Sequence, residues 1–262
     1  METIISFDNS KIKHVKNLLG DKKCRKEFGE YAVEGSRWIF DALNTEYAAE
    51  LFCGVFVKES CVEKFASLIR TAEQKIGAQY IFMVADNVFD KVSETEHSQG
   101  ILANLKIRTV LGATGQYILY LDRIRDPGNL GTIIRTAVAA GFSDILLDGC
   151  TDIYSPKVAR STMSALLKIA FTMVQDGKNP LDSLKTGGYK ILAADMEGEN
   201  IFTYCKKSAK IVLIIGSEAD GVHPKLLKFA DKIVSIPMRQ IESLNASVSA
   251  GIIMYQLIQN KG

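Results

Sequence analysis

The stretch Ser235-Ile-Pro-Met-Arg-Gln-Ile-Glu-Ser-Leu-Asn-Ala-Ser-Val-Ser-Ala-Gly251 shows in one place how this chain builds its fold. An apolar strand ends at Pro237, a polar turn follows, and an uncharged helix begins near Asn245. A helix start carries unpaired N–H groups and the positive end of the helix dipole, so ligand atoms as well as side chains bind there. Taken alone, Ser243 and Asn245 are explained more simply as caps of the helix.

Two upstream segments also follow strands. Asp126-Pro-Gly-Asn-Leu-Gly-Thr-Ile-Ile-Arg-Thr-Ala137 leads from a strand into a helix, and Ile214-Ile-Gly-Ser-Glu-Ala-Asp-Gly221 comes after another strand. Strands and helices alternate from Gln116 onward, which predicts an α/β fold with a parallel sheet covered by helices. In such a sheet ligands bind beyond the carboxyl ends of the strands, where all three segments fall. The predicted strands are 117–121, 144–147, 169–173, 190–194, 211–215 and 232–236, and the predicted helices are 129–140, 155–161, 181–186, 224–229 and 245–259.

The chain before about residue 99 is predicted to form a smaller α/β unit. It begins with a basic helix, and its apolar run at 51–57 is typical of a central strand covered on both faces. The polar stretch 93–100 and the turn residues of 109–115 favour a boundary in this region. We therefore expect domains at 1–99 and 116–262 with a linker at 100–115, and a strand at 101–107 that finishes the first domain or bridges the two.

Composition allows a globular protein and shows an uneven distribution of charge. The 262 residues are 47% hydrophobic, enough for one large core or two modest ones. A net charge of +2 is too mild to imply a polyanionic partner. Asp21 is the only acid among the basic residues of segment 11–26, which either contact a phosphate backbone or form a solvated helix face. These residues are Lys11, Lys13, Lys16, Lys22, Lys23, Arg25 and Lys26.

Other classes of protein are not supported. The five cysteines are scattered without a C-x-x-C pair, and with three histidines they indicate neither a zinc site nor a disulfide framework. The first residues do not resemble a secretory signal, and the uncharged stretch 243–260 is too polar for a membrane span. We expect a cytoplasmic protein without metal or membrane association, and a buried C-terminal helix.

Within the first motif, Arg135 carries the clearest functional signal. It lies near the edge of an apolar stripe, where a guanidinium needs an anionic or carbonyl partner. Asn129 has a simpler explanation as the cap of the following helix. The residue types therefore favour a functional role for Arg135 and leave that of Asn129 open.

In the second motif, Glu218 lies between Gly216 and Gly221, where the backbone can come close to a ligand. Glycines of this kind usually serve turn geometry only. Glu218 could equally be a solvated loop acid or the cap of a helix near Pro224. The motif by itself does not separate these alternatives.

In this order and spacing, the three segments resemble the three motifs of the SpoU (TrmH-like) RNA ribose 2′-O-methyltransferases. The resemblance covers the chain from Gln116 to its end and implies a SPOUT α/β domain with a deep trefoil knot, a homodimer and S-adenosylmethionine as cofactor. It places Asn129, Arg135, Glu218, Ser243 and Asn245 in the catalytic site. It assigns cofactor contacts to Gly216, Ile236, Met238 and Leu244. The turn at 239–241 departs from the family's pattern because it has no glycine, which concerns the shape of the adenosine pocket.

The resemblance implies an in-line methyl transfer to a ribose oxygen, which depends on alignment and charge stabilisation. A guanidinium stays protonated in proteins, so a literal general-base role for Arg135 is awkward. We expect Arg135 to hold the target nucleotide and to stabilise the developing alkoxide, while the proton leaves to phosphate or water.

The N-terminal segment, from Asn9 through Lys22-Lys23-Cys24-Arg25 to Gly35, is similar to the family's substrate-binding domain, a small αβα module that docks on RNA. The similarity implies that the basic arm contacts RNA phosphates. Ribosomal RNA is the expected substrate, with transfer RNA as an alternative.

Two further classes stay open at this point. A non-catalytic RNA-binding factor for ribosome assembly would keep the fold, although the intact set of polar motif residues argues against it. A dinucleotide-dependent enzyme is suggested only by the alternating strands and helices, and Gly128-Asn-Leu-Gly131 lacks the G-x-G-x-x-G arrangement.

Overall fold

The computed structural model describes residues 1–95, 97–108, 115–175, 180–204, 208–241 and 243–259. They divide into two compact units. The first unit contains Met1–Arg108 together with Asp152–Ser164, and the second contains the rest of the described chain.

The first unit is built on a mixed sheet. Its strands are β1 (Glu2–Ile4), β2 (Glu30–Glu34), β3 (Phe52–Lys58), β4 (Ile81–Val84) and β5 (Ile101–Lys106). They lie in the order β1-β4-β3-β5-β2. β4 is parallel to both of its neighbours, whereas β5 is antiparallel to β3 and β2. The predicted central strand is therefore confirmed as β3, which lies in the middle of the sheet and has most of its side chains buried.

Amphipathic helices cover this sheet. They are α1 (Ser10–Gly20), α2 (Lys22–Phe28), α3 (Ser36–Leu43), α4 (Ala48–Leu51), α5 (Ala66–Ile76) and α6 (Asp86–Val92). The buried residues of α1 recur at helical spacing at Ile12, Val15 and Leu19, and they join one apolar cluster with α6 and the sheet. The charged side chains of α1 are left at the surface as a result.

The boundary between the units falls after Arg108, within the linker predicted at 100–115, and the strand predicted at 101–107 finishes the first unit. β5 lies inside the predicted linker 100–115, but it is buried between β3 and β2 and completes the first sheet. The polar stretch before it is only the connection from α6. The remainder of the predicted linker, 109–114, lies outside the described residues.

The segment Asp152–Ser164 belongs to the first unit, although it was predicted within the domain 116–262. Its contacts explain the difference. Asp152 pairs with the buried Arg25 at 2.8 Å, and the indole N–H of Trp38 donates to the carbonyl of Ala159 at 3.1 Å. The hydroxyl of Ser164 donates to Asp41 at 2.6 Å. Hydrophobic periodicity carries no information about partners so far apart in sequence.

The second unit contains the predicted parallel sheet. Its strands are β6 (Tyr117–Asp122), β7 (Asp144–Asp148), β8 (Ala170–Met173), β9 (Lys190–Asn200), β10 (Ile211–Ile215) and β11 (Lys232–Ser235). They lie in the order β11-β9-β10-β6-β7-β8, and each neighbouring pair is parallel. The remaining helices in chain order are α7 (Pro127–Ala139), α8 (Pro156–Thr162) of the first unit, α9 (Leu181–Thr186), α10 (Pro224–Leu227) and α11 (Ala246–Gln259).

The pairing of β9 with β11 is irregular near the carboxyl edge of this sheet. Ile233 of β11 pairs with Ala193, but the next residue, Val234, pairs with Glu199. The intervening residues of β9 therefore leave the regular ladder. Gly198 permits the close approach there, because a Cβ on it would lie 2.5 Å from the backbone carbon of Val234. The sequence predicted only the first half of this strand, up to residue 194.

No helix in the described ranges is both long and apolar enough to cross a membrane.

Candidate active site

The second unit contains a cavity at the carboxyl ends of β9, β10 and β11. Its volume of about 390 Å³ lies within the usual range of small-molecule sites. The predicted cofactor residues all line it, namely Gly216, Ile236, Met238 and Leu244. The structure thus brings together residues from the second and third motifs, as the rule for open parallel sheets predicts.

The turn after β10 forms one wall of this cavity. Gly216 must be glycine, since a Cβ there would lie 2.1 Å from the backbone carbon of Gly221. Gly221 has a left-handed backbone with φ of 64°, and its N–H donates to the carbonyl of Ser217 at 3.0 Å. Both glycines of the motif are therefore required by the geometry of the turn that carries Glu218.

The opposite wall is largely apolar. Ile236, Met238 and Leu244 are half-buried there, with Ile253 of α11 behind them. Such a lining suits a neutral heterocycle, whose polar edge backbone groups can bind. A small cradle bounded by glycine backbone and an apolar wall fits the adenosine of S-adenosylmethionine. The four predicted cofactor residues are the ones that would hold it.

Side chains from all three motifs meet in one hydrogen-bonded chain beside the cavity. The side-chain amide of Asn129 donates to the carboxylate of Glu218. Its oxygen accepts a hydrogen bond from the side-chain amide of Asn245 at 2.9 Å. Both polar ends of Asn129 are used in this way, which fixes the orientation of its amide.

Asn245 also caps α11. Its side-chain oxygen accepts from the backbone N–H of Ser247 at 2.9 Å, while its amide nitrogen reaches Asn129. The capping interpretation is therefore confirmed, and the same side chain also contacts Asn129 of the first motif. α7 is capped by Asp126, whose carboxylate accepts from the backbone N–H of Asn129 at 2.8 Å. The side chain of Asn129 is thus free for the site.

Geometry excludes one alternative role of Glu218, that of a helix cap. α10 is capped by His223, whose ring nitrogen accepts from the N–H of Lys225 at 3.1 Å. Glu218 instead lines the cavity and binds Asn129. Ser243 lines the same cavity, and its hydroxyl has no hydrogen-bond partner within the described part of the chain. Both side chains are exposed to the cavity mouth rather than sequestered.

Arg135 differs from the expectation drawn from its apolar neighbours. It is exposed on α7, and it does not line the cavity. Among the described residues it forms no ion pair or hydrogen bond through its side chain. The apolar stripe of α7 consists of Leu130, Ile133, Ile134 and Ala137, and Arg135 points to the other side of the helix.

In the first unit, Arg25 does not support the predicted contact with RNA. Its side chain is almost fully buried, and its guanidinium donates to the carbonyls of Leu18 and Leu19 as well as to Asp152. A guanidinium that is buried and engaged through Nε and Nη1 in this way is poorly placed to bind phosphate. These contacts argue for a structural role of Arg25, and a run of basic residues does not show which of them faces inward.

The lysines of the basic arm are at the surface, but several have partners. Lys11 pairs with Glu2 at 3.1 Å and Lys13 with Asp8 at 2.7 Å. Lys16 donates to the carbonyl of Val92 at 3.4 Å. The ammonium groups of Lys22 and Lys23 are exposed and make no ion pair or hydrogen bond with any described residue.

Sequence reasoning missed Asp195, which also lines the cavity. One of its carboxylate oxygens accepts from the N–H of Glu197 at 3.0 Å. The only signal in the sequence was its place just after the predicted strand 190–194, at the edge where ligands bind.

Cysteine and metal chemistry have little support in the described residues. Cys24, Cys53, Cys61 and Cys150 are free, and burial raises the pKa of Cys150 to about 12, so its thiol stays protonated. No group of three or more His, Cys, Asp or Glu side chains in the described ranges is placed to hold a metal ion.

Comparison with known proteins supports the same class. Fold and site together are those of a SPOUT-type α/β protein. Residues 116–255 match the SpoU rRNA methylase family, and residues 9–103 match the MRM3-like substrate-binding domain. The chain belongs to the SpoU rRNA methylase family.

The proteins that this chain resembles include RNA methyltransferases. The chain is 32% identical to the 23S rRNA (guanosine(2553)-2′-O)-methyltransferase RlmP of Bacillus subtilis, over 98% of this chain and 99% of that one. The AdoMet-bound rRNA methyltransferase from Sinorhizobium meliloti superposes with a TM-score of 0.82 at 27% identity, covering 99% of this chain and 98% of that one. AviRb from Streptomyces viridochromogenes, with 22% identity and a TM-score of 0.80 over 96% of this chain and 98% of that one, shares the fold. The predicted SpoU-type RNA methyltransferase class, with S-adenosylmethionine as its cofactor, is confirmed at the level of the family.

Proposed function

We propose that this protein methylates the ribose 2′-hydroxyl of a nucleotide in ribosomal RNA, with S-adenosylmethionine bound in the cavity of the second unit. The observation that carries the proposal is the hydrogen-bonded chain Glu218–Asn129–Asn245, which joins three distant motifs beside that cavity. A purely structural role would not require all three polar groups to meet at the mouth of a cavity. The assignment agrees with the AdoMet bound in a similar structure and with the rRNA that the names of similar enzymes give as their substrate.

The cofactor supplies an activated methyl group on a sulfonium centre, and the chain's own residues supply binding and orientation. Gly216 and the apolar residues Ile236, Met238 and Leu244 bind the adenosine part and exclude water from it. Asn129 fixes the orientation of Glu218 and of Asn245. Preorganised polar groups of this kind lower the energy of a charged transition state without reorganisation.

Arg135 has a role on the RNA side of the site. Its guanidinium is exposed, always charged, and free of partners among the described residues. We assign two roles to Arg135: it binds the phosphate of the target nucleotide, and it stabilises the alkoxide that develops on the ribose oxygen. The 2′-hydroxyl proton then leaves to phosphate or water, since the guanidinium itself cannot accept it.

The free cations of the first unit are proposed to contact the RNA backbone. Lys22 and Lys23 are exposed without partners in the described chain, whereas Lys11 and Lys13 lie in ion pairs. Each lysine that meets a phosphate adds affinity through counterion release. This arrangement shifts the predicted contact from the whole basic arm towards α2.

A homodimer is proposed from the character of α11. From Ser243 to Gln259 the chain has no charged residue, yet Val248 and Tyr255 are exposed on this helix. Exposed apolar side chains on an uncharged helix suit an interface. A second copy of the chain would cover them. The deep trefoil knot, which the family resemblance implies, and the cytoplasmic location expected from the sequence also stay predictions.

Mapping 2′-O-methyl sites in ribosomal RNA with and without the gene tests the proposal. We expect one ribosomal site to lose its methyl group in the deletion strain and to regain it with the wild-type gene. A loss confined to transfer RNA would reassign the substrate. An unchanged methylation pattern in both RNAs would favour a non-catalytic binding protein and contradict the proposal.

A further inference from the structure

Arg123 has an unusual backbone at the carboxyl end of β6. Its φ is 56°, in the left-handed region that costs energy for any residue with a side chain. Its N–H donates to the carbonyl of Asp148 at 2.7 Å, which holds the backbone in this conformation. Neighbouring side chains in a regular strand point to opposite faces. The left-handed backbone lets Arg123 turn back towards the adjacent Asp122.

The guanidinium of Arg123 binds the carboxylate of Asp122 through two nitrogens. Nε donates to one carboxylate oxygen at 2.9 Å and Nη2 to the other at 3.1 Å. Asp122 is 2% exposed, so its charge needs a partner close by. Hydrogen bonding to Asp122 raises the pKa of Arg123 above its already high value. This side of the guanidinium is therefore anchored to the body of the sheet.

The other side of the same guanidinium reaches the turn that forms the cavity wall. Nη1 donates to the carboxylate of Asp220 at 3.1 Å, and Nη2 also donates to the carbonyl of Gly221 at 3.1 Å. Asp122 accepts the backbone N–H of His223 at 2.7 Å, which ties down the chain just after the turn. Asp220 and Gly221 line the cavity, whereas Arg123 binds them without lining it.

We propose that Arg123 is a positioning residue that clamps the turn Gly216–Gly221 to the end of β6 and so sets the shape of the cofactor cavity. The inference rests on the proposed function of that cavity. Glu218 lies on the same turn, so the clamp also determines where its carboxylate meets Asn129. A guanidinium can bond Asp122, Asp220 and Gly221 together because its donors lie in a fixed planar fork.

Replacing Arg123 by lysine tests the hydrogen bonds of the guanidinium separately from its positive charge. Arg123→Lys keeps a cation beside the buried Asp122, but the three N–H donors of an ammonium cannot make the four bonds that the planar guanidinium makes to Asp122, Asp220 and Gly221. We expect the dissociation constant of S-adenosylhomocysteine to rise about tenfold, with kcat reduced less than KM is raised. Amide exchange should accelerate at Asp220 and Gly221 while the amides of β10 stay protected. A general loss of stability would accelerate both.

Asp220→Ala provides a second variant that leaves the pair of Asp122 and Arg123 intact. Its carboxylate is largely exposed, so this variant should fold normally. We expect a smaller rise in the dissociation constant, about two- to threefold. The effect should vanish when Asp220→Ala is added to Arg123→Lys, since the bond is already lost there. Arg125→Lys is the matched control, because Arg125 is exposed and has no side-chain partner among the described residues.

Titration calorimetry with S-adenosylhomocysteine decides the matter in the full-length protein. If the wild-type protein does not bind this ligand, the proposed function fails. If the wild-type protein binds and Arg123→Lys binds equally well with unchanged exchange at the turn, the clamp is refuted. If Arg123→Lys does not fold, Asp220→Ala carries the test, and wild-type affinity in that variant overturns the clamp.

Discussion

The side-chain amide of Asn245 donates a hydrogen bond to the side-chain oxygen of Asn129 at 2.9 Å, across 116 residues of chain. The bond joins the N-terminus of α11 to the first turn of α7. Because Asn129 also donates to Glu218, one amide holds the ends of two helices and a strand-end turn in a single arrangement. Polar chains of this kind specify one geometry when every member is satisfied.

Loss of the Asn129 side chain should abolish most of the activity while the fold survives. Asn129→Ala leaves Glu218 and Asn245 without their shared partner, and we expect kcat to fall about 100-fold. Asn129→Asp should be worse, since a second carboxylate would repel Glu218. Steady-state methyl transfer measures the change, with Asn87→Ala of α6, an exposed asparagine, as the control. Near-normal kcat in Asn129→Asp would contradict a catalytic role for the Asn129 side chain.

Substitution of Arg135 should separate catalysis from cofactor binding. Arg135 does not line the cavity, so Arg135→Ala is expected to leave the affinity for S-adenosylhomocysteine unchanged. The same variant should lower kcat about 100-fold or more, because the alkoxide loses its stabilising charge. Stability should change by less than about 0.5 kcal/mol at this exposed position. Full activity in Arg135→Lys would argue against a planar guanidinium clamp.

Arg25→Ala is predicted to act on stability. The variant leaves the largely buried Asp152 and two backbone carbonyls without their donor, which should cost about 3–5 kcal/mol. Urea unfolding followed by circular dichroism measures the loss. An Arg25→Ala protein with wild-type stability and weakened RNA affinity would contradict this prediction and support a contact between Arg25 and RNA.

The double variant Lys22→Ala/Lys23→Ala is predicted to act on RNA affinity. Each lost phosphate contact should lower the slope of log affinity against log salt by about one unit. The control is Lys11→Ala/Lys13→Ala, which removes the same charge from residues held in ion pairs. Filter binding to ribosomal RNA at several salt concentrations measures both slopes. Equal slopes in the two double variants would show that the basic arm acts only through its total charge.

Much of this fold follows from local patterns. The alternation of apolar strands and amphipathic helices after Gln116 predicted the parallel sheet, since each element buries one face or stripe in a recognisable period. It also predicted that the three motifs would share the carboxyl edge of the sheet. The strand ends, the glycine turn at Gly216–Gly221 and the N-cap at Asn245 were accessible to the same reasoning.

Contacts between distant residues were not accessible in this way. Arg25 and Lys22 look alike in a basic run, but only one faces Asp152, and that partner is 127 residues away. The irregular pairing of β9 with β11 and the left-handed backbone of Arg123 have no periodic signature either. Polarity left open whether the strand at 101–107 finishes the first domain or bridges the two, whereas its pairing between β3 and β2 places it in the first sheet.

Transfer of a labelled methyl group from S-adenosylmethionine to unmodified ribosomal RNA tests the central claim most directly. The purified protein should label the RNA, and nuclease digestion should release the label as a single 2′-O-methylated nucleotide. The Asn129→Asp protein should release almost none under the same conditions. Label on a base instead of a ribose, or no label from a protein that binds both RNA and cofactor, would contradict the account.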